Sequence, residues 1–275
     1  MNLTRRGALA LAGAGALAGC TNRSGSPPAG AGRHQYGPGV DQFGDLYHPS
    51  GTPRGTVVVL HGGYWLDGYT LDLMQPVCNA LSDDGWYAWN LEYSRIGSGG
   101  GWPGTFADVA KGVDHVRSLD LGNGPVVLLG HSAGGQLAVW NASRTRSTPG
   151  GAPQVRARGV VSLSGVLDLT RGFHDYLGNG AVEELMGGPP DRKPLRYRLG
   201  DPTLLVPAKA PVAALRGTSD DVVPLSQTTS YVDAARRAGG TASYVPVPGD
   251  HFTIIDPKHE SWTTTLASVH RLARG

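Results

Sequence analysis

Ser132, Asp220 and His251 are the residue types needed to turn an alcohol into a nucleophile, and they occur in that order along the chain. Ser132 sits in Gly130-His131-Ser132-Ala133-Gly134-Gly135. A serine hydroxyl is a weak nucleophile near neutral pH. It needs a base to take its proton and a third group to hold that base in the right tautomer. His251, in Pro248-Gly249-Asp250-His251-Phe252, is the candidate base. The candidate acid is Asp220, in Gly217-Thr218-Ser219-Asp220-Asp221-Val222-Val223-Pro224. On residue type alone Asp221 serves equally well, and one of the pair could cap a following helix. The chemistry would be acyl transfer, which also needs amide N–H groups aimed at a developing oxyanion. Ala133 would give one. The glycines of His61-Gly62-Gly63-Tyr64-Trp65 let a second stretch of backbone come close enough to give others.

Nine histidines compete for the role of base. His34 and His48 precede the core, and His115, His259 and His270 fall in helical patterns. His174 lies in a long connecting segment, where it could only touch substrate. His61 precedes the serine, in a stretch with a different task, and the His131 side chain is expected to point away from the serine's face of the turn. His251 follows the last strand, beside a glycine.

The elements around these residues alternate. Val126–Leu129 is an apolar run of strand length that leads directly into Gly130, and Gln136–Ala142 reads as a helix. A strand, G-x-S-x-G and a helix form a sharp turn on which the serine stands clear of the sheet. Other strands are expected at 42–47, 56–60, 87–91, 158–163, 211–215 and 242–247. Helices are expected at 71–81, 106–119, 227–238 and 259–273. Such alternation implies a mainly parallel sheet covered on both faces, with ligands at the carboxyl ends of the strands. Residues 165–207 interrupt it. A connection this long reads as a small cap.

The four stretches together resemble the α/β-hydrolase esterases related to arylformamidases. That group includes kynurenine formamidase and bacterial esterases close to the acetyl-esterase branch. The resemblance covers residues 40–275 and includes the early strand Gln42-Phe43-Gly44-Asp45-Leu46-Tyr47. It implies an α/β-hydrolase fold, with Ser132 as nucleophile, Asp220 as acid and His251 as base. It further implies that Gly63 and Tyr64 join Ala133 in the oxyanion hole. Trp65, His131, Phe173, Tyr176 and Met186 are the expected substrate-pocket residues. No metal or organic cofactor is expected, because the chain has no Walker loop, no H-E-x-x-H and no cysteine ligand cluster.

The first 20 residues read as an address. Arg5-Arg6 precedes a weakly apolar run, too short to span a bilayer, that ends in Leu17-Ala18-Gly19-Cys20. This resembles a twin-arginine lipoprotein signal, with residues 1–19 removed and Cys20 carrying the lipid. The expected product is an exported, membrane-anchored protein. Residues 20–39, rich in Gly, Pro and Ser, would be its linker, and 40–275 its catalytic domain. Cys78, in an apolar helical pattern, reads as a core residue. Formal net charge is +2, and residues 1–19 hold Arg5 and Arg6 without an acid. The remaining chain has no net excess of cations with which to bind nucleic acid. The partners expected are a small-molecule ester or amide and, through Cys20, a membrane. Nothing in the sequence sets an oligomeric state. An ester met outside the cytoplasm suits the signal better than N-formylkynurenine. Formamidase, amidase and prolyl-oligopeptidase-like activities would use the same residues, and a non-catalytic binding lipoprotein is the remaining alternative.

Overall fold

A computed structural model of the chain describes residues 27–28 and 30–275. The signal and Cys20 lie outside the described residues. Eight strands form one sheet in the order β1-β2-β4-β3-β5-β6-β7-β8. They are β1 (Ala31–Gln35), β2 (Phe43–Tyr47), β3 (Thr56–Leu60), β4 (Tyr87–Leu91), β5 (Val126–His131), β6 (Gly159–Leu163), β7 (Val212–Gly217) and β8 (Ala242–Val247). β2 runs antiparallel to both β1 and β4, and all other neighbours are parallel. β1 is a correction to the linker expected over 20–39, since residues 31–35 pair with β2. It carries no apolar run. An ion pair holds it, Arg33 Nε to Asp45 Oδ1 at 2.7 Å, and the Arg33 guanidinium covers the Phe43 ring.

The central strands are buried on both faces, so they read as unbroken apolar runs. Val58, Leu60, Leu128 and Val160 point to one layer. There they pack with α2 (Gly104–Asp114), α3 (Ala133–Ala142) and α7 (Leu225–Arg237). Val57, Val59, Val127, Leu129 and Val161 point to the other. They meet α1 (Gln75–Asp83), which carries buried Cys78, and α8 (Ser261–Arg274). Each such Val or Leu contributes roughly 1.5–3 kcal/mol of burial. Every residue of α3 is buried. Its glycines hid its first turn from the apolar pattern, so the helix starts at Ala133 rather than Gln136.

The segment 165–207 is helical. It holds α4 (Leu169–His174), α5 (Ala181–Met186) and α6 (Pro194–Gly200), with short 3-10 turns at 177–180 and 202–204. It follows β6 directly, and Gly178 packs against the Tyr64 ring of the loop that follows β3.

Candidate active site

The turn after β5 is set by two close approaches. A Cβ on Gly130 would overlap the carbonyl oxygen of Gly134, and one on Gly134 would overlap those of Leu60 and His61. Only glycine permits this crossing of β5, α3 and the end of β3. Between the two, Ser132 is held at φ 54°, ψ −118°. This is costly for a residue with a Cβ and persists only where the surroundings enforce it. They do so here: the Ser132 N–H donates to Leu163 O at 2.8 Å, and its carbonyl accepts from Gln136 N at 3.1 Å and Val166 N at 3.3 Å. Ser132 is buried, and its Oγ makes no hydrogen bond to another described residue.

Asp220 follows β7 and uses its two oxygens differently. Oδ1 accepts from the amides of Val222 and Val223, both at 2.9 Å, which closes the loop on itself. Oδ2 lies 3.0 Å from His251 Nδ1. Neither aspartate caps the following helix, which starts after Pro224 with no side-chain cap, and Asp221 is exposed. Burial pushes the Asp220 carboxyl up, but hydrogen bonds from His251 and Val223 outweigh it and hold the group down at about 2. Arg216 ties the loop together from beneath. Its guanidinium donates to the carbonyls of Val223 at 3.2 Å, Gly217 at 3.0 Å and Asp220 at 2.6 Å.

His251 sits in the turn after β8. That turn is fixed by Asp250 Oδ1, which accepts from Phe252 N at 2.9 Å and Thr253 N at 2.7 Å. With Nδ1 as donor to Asp220, the His251 ring keeps Nε2 as a bare acceptor, the form a general base needs. His131 stands beside it. Its Nε2 is 2.8 Å from the His251 carbonyl oxygen, and the two rings are 4.7 Å apart. Burial, and then the neighbouring His251, push the His131 imidazole down to about 3. Its side chain is buried against the base.

The loop after β3 lies directly against the serine. A Cβ on Gly62 would be 3.0 Å from Ser132 Cβ and 2.8 Å from His131 Nδ1. Gly63 has φ 109°, Tyr64 φ 50° and Trp65 φ 59°. Bonds from Leu66 N to Gly63 O (3.0 Å) and Ile96 N to Trp65 O (2.8 Å) hold this turn. Among the described residues, the amides of Gly63, Tyr64 and Ala133 donate to no acceptor. Three uncommitted N–H groups beside a serine can bind an oxyanion.

The five expected pocket residues separate. Trp65 is fully buried, with Nε1 bonded to Gln136 Oε1 at 3.1 Å, and Met186 is fully buried near Gly200. Both are core residues. Phe173 is half-buried and lines a cavity of about 710 Å³ with His174, Glu183 and Pro189. Tyr176 is 66% exposed. The sequence reading missed Tyr69, whose ring covers Gly63, and Phe252, which stands exposed beside His251. Their proximity to Gly63 and His251 in sequence was the available signal. The reading also missed Arg216, for which no local pattern exists.

The profile of the BD-FAE family matches residues 45–234. Esterase LipQ of Mycobacterium tuberculosis is 26% identical over 234 residues, covering 78% of this chain and 55% of LipQ. The chain therefore spans little more than half the length of that relative. Esterase LipC of the same organism is 25% identical, covering 89% of this chain and 69% of LipC. Among solved structures, a truncated carbohydrate esterase from gut microbiota superposes with a TM-score of 0.75 at 18% identity. The match covers 88% of this chain and 95% of that one. This likeness shows a shared α/β-hydrolase fold.

Proposed function

The chain belongs to the BD-FAE family, and we propose that it is a serine hydrolase cleaving short-chain or aromatic carboxylic esters outside the cytoplasm. The observation that carries this reading is the 3.0 Å contact between His251 Nδ1 and Asp220 Oδ2, with the His251 backbone bonded to His131, the residue before Ser132. The names of LipQ and LipC, both esterases, support it.

In this reading His251 Nε2 takes the Ser132 proton as Oγ attacks the ester carbonyl. The carbonyl oxygen becomes an oxyanion held by the Gly63, Tyr64 and Ala133 amides. The imidazolium, stabilised by ionised Asp220, then gives its proton to the departing alkoxide, and the C–O bond breaks. Water, deprotonated by His251, attacks the acyl-enzyme and restores Ser132. The acyl-enzyme route also suits an amide. The arylformamidase alternative therefore differs in substrate rather than machinery.

The test compares p-nitrophenyl acetate, p-nitrophenyl butyrate and N-formylkynurenine as substrates, with Ser132→Ala beside the wild type. Ester turnover that the variant lacks upholds the reading. Preference for N-formylkynurenine would move it to amides. Failure of both turnover and fluorophosphonate labelling would sink it in favour of a binding protein. The export signal belongs to the same proposal. Incorporation of labelled palmitate that Cys20→Ser abolishes is the expected result for the anchor.

A further inference from the structure

The parallel strands all begin at one end of the sheet, and the elbow follows His131 at the other. The pairings Ala31–Tyr47, Tyr47–Ala88 and Ala88–Val57 put the first residue of β1 level with the starts of β4 and β3. The chain therefore enters the sheet at the end opposite the catalytic serine. Ten residues separate Cys20 from Ala31, and they span at most about 35 Å. Turning the serine end towards a bilayer that holds Cys20 would ask this segment to cross almost the whole domain, whose radius of gyration is about 18 Å.

The entry end is also basic. Arg54 precedes β3, Arg156 and Arg158 precede β6, Lys209 precedes β7, and Arg237 and Arg274 close α7 and α8. All six are exposed. Helix dipoles account for cations at the ends of α7 and α8, but the other four lie in loops. Among the described residues, the guanidinium groups of Arg156, Arg158, Arg237 and Arg274 have no hydrogen-bond or ion-pair partner. Acids are fewer here. Asp84 is engaged by Arg54 and His270, and Asp114 by buried Arg144, which leaves Asp83, Asp120 and Asp233 exposed. The catalytic loops show the reverse. Residues 218–224 and 248–260 carry Asp220, Asp221, Asp250, Asp256 and Glu260 against Lys258. With a formal net charge of only +2, the chain is segregated in charge rather than basic throughout. Such a distribution turns the basic end towards an anionic surface.

Two recesses open on this end. One, of about 300 Å³, is lined by Arg156 and Lys209 with Val155 and Ala210, and by Asn141, whose buried Nδ2 has no hydrogen-bond partner. The other, of about 310 Å³, is lined by Arg54 and Arg274 with Trp86 and Pro125. Cations beside apolar walls suit a phosphodiester on a carbon stem, the build of a lipid headgroup, better than a free anion.

We propose that the end of the sheet where the strands begin is a docking surface for anionic phospholipid headgroups, which leaves the catalytic end facing away from the bilayer. Each cation held against such a surface strengthens binding about fivefold. A tether raises the local concentration of the face at the membrane, so individually weak headgroup contacts suffice. The orientation rests on the anchored-lipoprotein reading, whereas the charged face stands without it.

The full chain with Cys20→Ser, which can carry no lipid, separates the face from the anchor. Co-sedimentation with phosphatidylcholine vesicles, with and without about 30% phosphatidylglycerol, reads binding in about 50 mM and about 500 mM salt. Anionic vesicles should bind at least about tenfold more tightly than neutral ones at low salt, and high salt should remove the difference. Arg156→Glu, Arg158→Glu, Arg237→Glu and Arg274→Glu together should lower the anionic affinity at least about tenfold and leave the neutral affinity unchanged. Arg192→Glu with Lys258→Glu, in the segments after β6 and β8, should stay within about twofold. Equal losses from both sets, or an anionic affinity indifferent to salt, would overturn the proposal. Melting temperature checks that the fourfold variant folds. If it does not, Arg156→Glu with Arg158→Glu and the salt dependence of the unsubstituted face decide. Absence of palmitate on Cys20 would end the anchor and the orientation drawn from it, while vesicle binding would still report on the face.

Discussion

His131 Nε2 lies 2.8 Å from the carbonyl oxygen of His251, so the residue before the nucleophile holds the backbone of the base. The bond joins the ends of β5 and β8, two strands that are not neighbours in the sheet. Since a carbonyl can only accept, Nε2 carries the proton and the imidazole is the neutral Nε2–H tautomer. His131→Phe keeps a planar ring and removes the bond. One buried hydrogen bond contributes about 1 kcal/mol, so kcat/KM for p-nitrophenyl acetate should fall by a factor approaching ten. Steady-state kinetics on the folded variant check this. Unchanged kcat/KM would mean that the contact does not position the base.

The same residue should shape stability in acid. Its pKa is about 3 in the folded protein, below the ordinary 6.5, because burial and His251 disfavour the charged form. The unfolded chain therefore binds a proton on His131 that the folded one refuses. Stability is fully present above about pH 6.5 and is lost progressively as pH falls towards 3. Asp220, held at about 2, adds a loss of the same sign only below about pH 4. Urea unfolding from pH 7 to 4 should show a smaller loss in His131→Phe than in the wild type. Parallel curves would refute the assignment.

The fold was legible where one chemical pattern fixed one answer. Val57–Val59 and Val126–Leu129 are apolar throughout because they are covered on both faces, and they could only be central strands. The elbow was legible because backbone crossing at Gly130 and Gly134 tolerates no Cβ. β1 was not, since Gly32-Arg33-His34-Gln35 has no apolar signature and depends on Asp45, a residue of the next strand. Trp65 and Met186 were assigned to a pocket from size and position. Sequence does not say which way a side chain turns, and both turn inward. The buried Asp41–Arg95–Glu92 ion pairs were invisible for another reason: Asp41 and Arg95 meet only through the β2–β4 pairing.

The two adjacent aspartates should separate cleanly. Asp220→Asn keeps the shape but presents an amide to His251 Nδ1, which favours the wrong tautomer, and kcat should fall by roughly 10⁴. Asp221 is exposed, and Asp221→Asn should stay within about twofold of the wild type. Ester hydrolysis by both purified variants decides. Comparable losses would mean that the loop, rather than Oδ2, matters.

Gly134→Ala tests the elbow as architecture. The added methyl would collide with backbone carbonyls of Leu60 and His61, which cannot move without displacing β3. Overpacking against backbone costs about 1–3 kcal/mol or more. The melting temperature should drop by several degrees and fluorophosphonate labelling of Ser132 should be lost with it. A variant that melts and labels like the wild type would show that α3 is free to shift.

The exposed aromatics around the serine bear on substrate. Tyr176, Phe252 and Tyr69 are 66%, 55% and 45% exposed. Tyr69 covers Gly63, Phe252 follows the base, and Tyr176 lies two residues before Gly178, on which the Tyr64 ring packs. Large apolar groups left in water beside a nucleophile stand to gain by covering an apolar leaving group or acyl chain. Such contacts exist in the ground state and the transition state alike, so they act on KM and leave kcat alone. Tyr176→Ala should raise KM for an aryl ester about three- to tenfold, with little change for the acetate of a small alcohol. A loss confined to kcat would place Tyr176 with the reacting atoms, and equal effects on both esters would remove it from substrate contact.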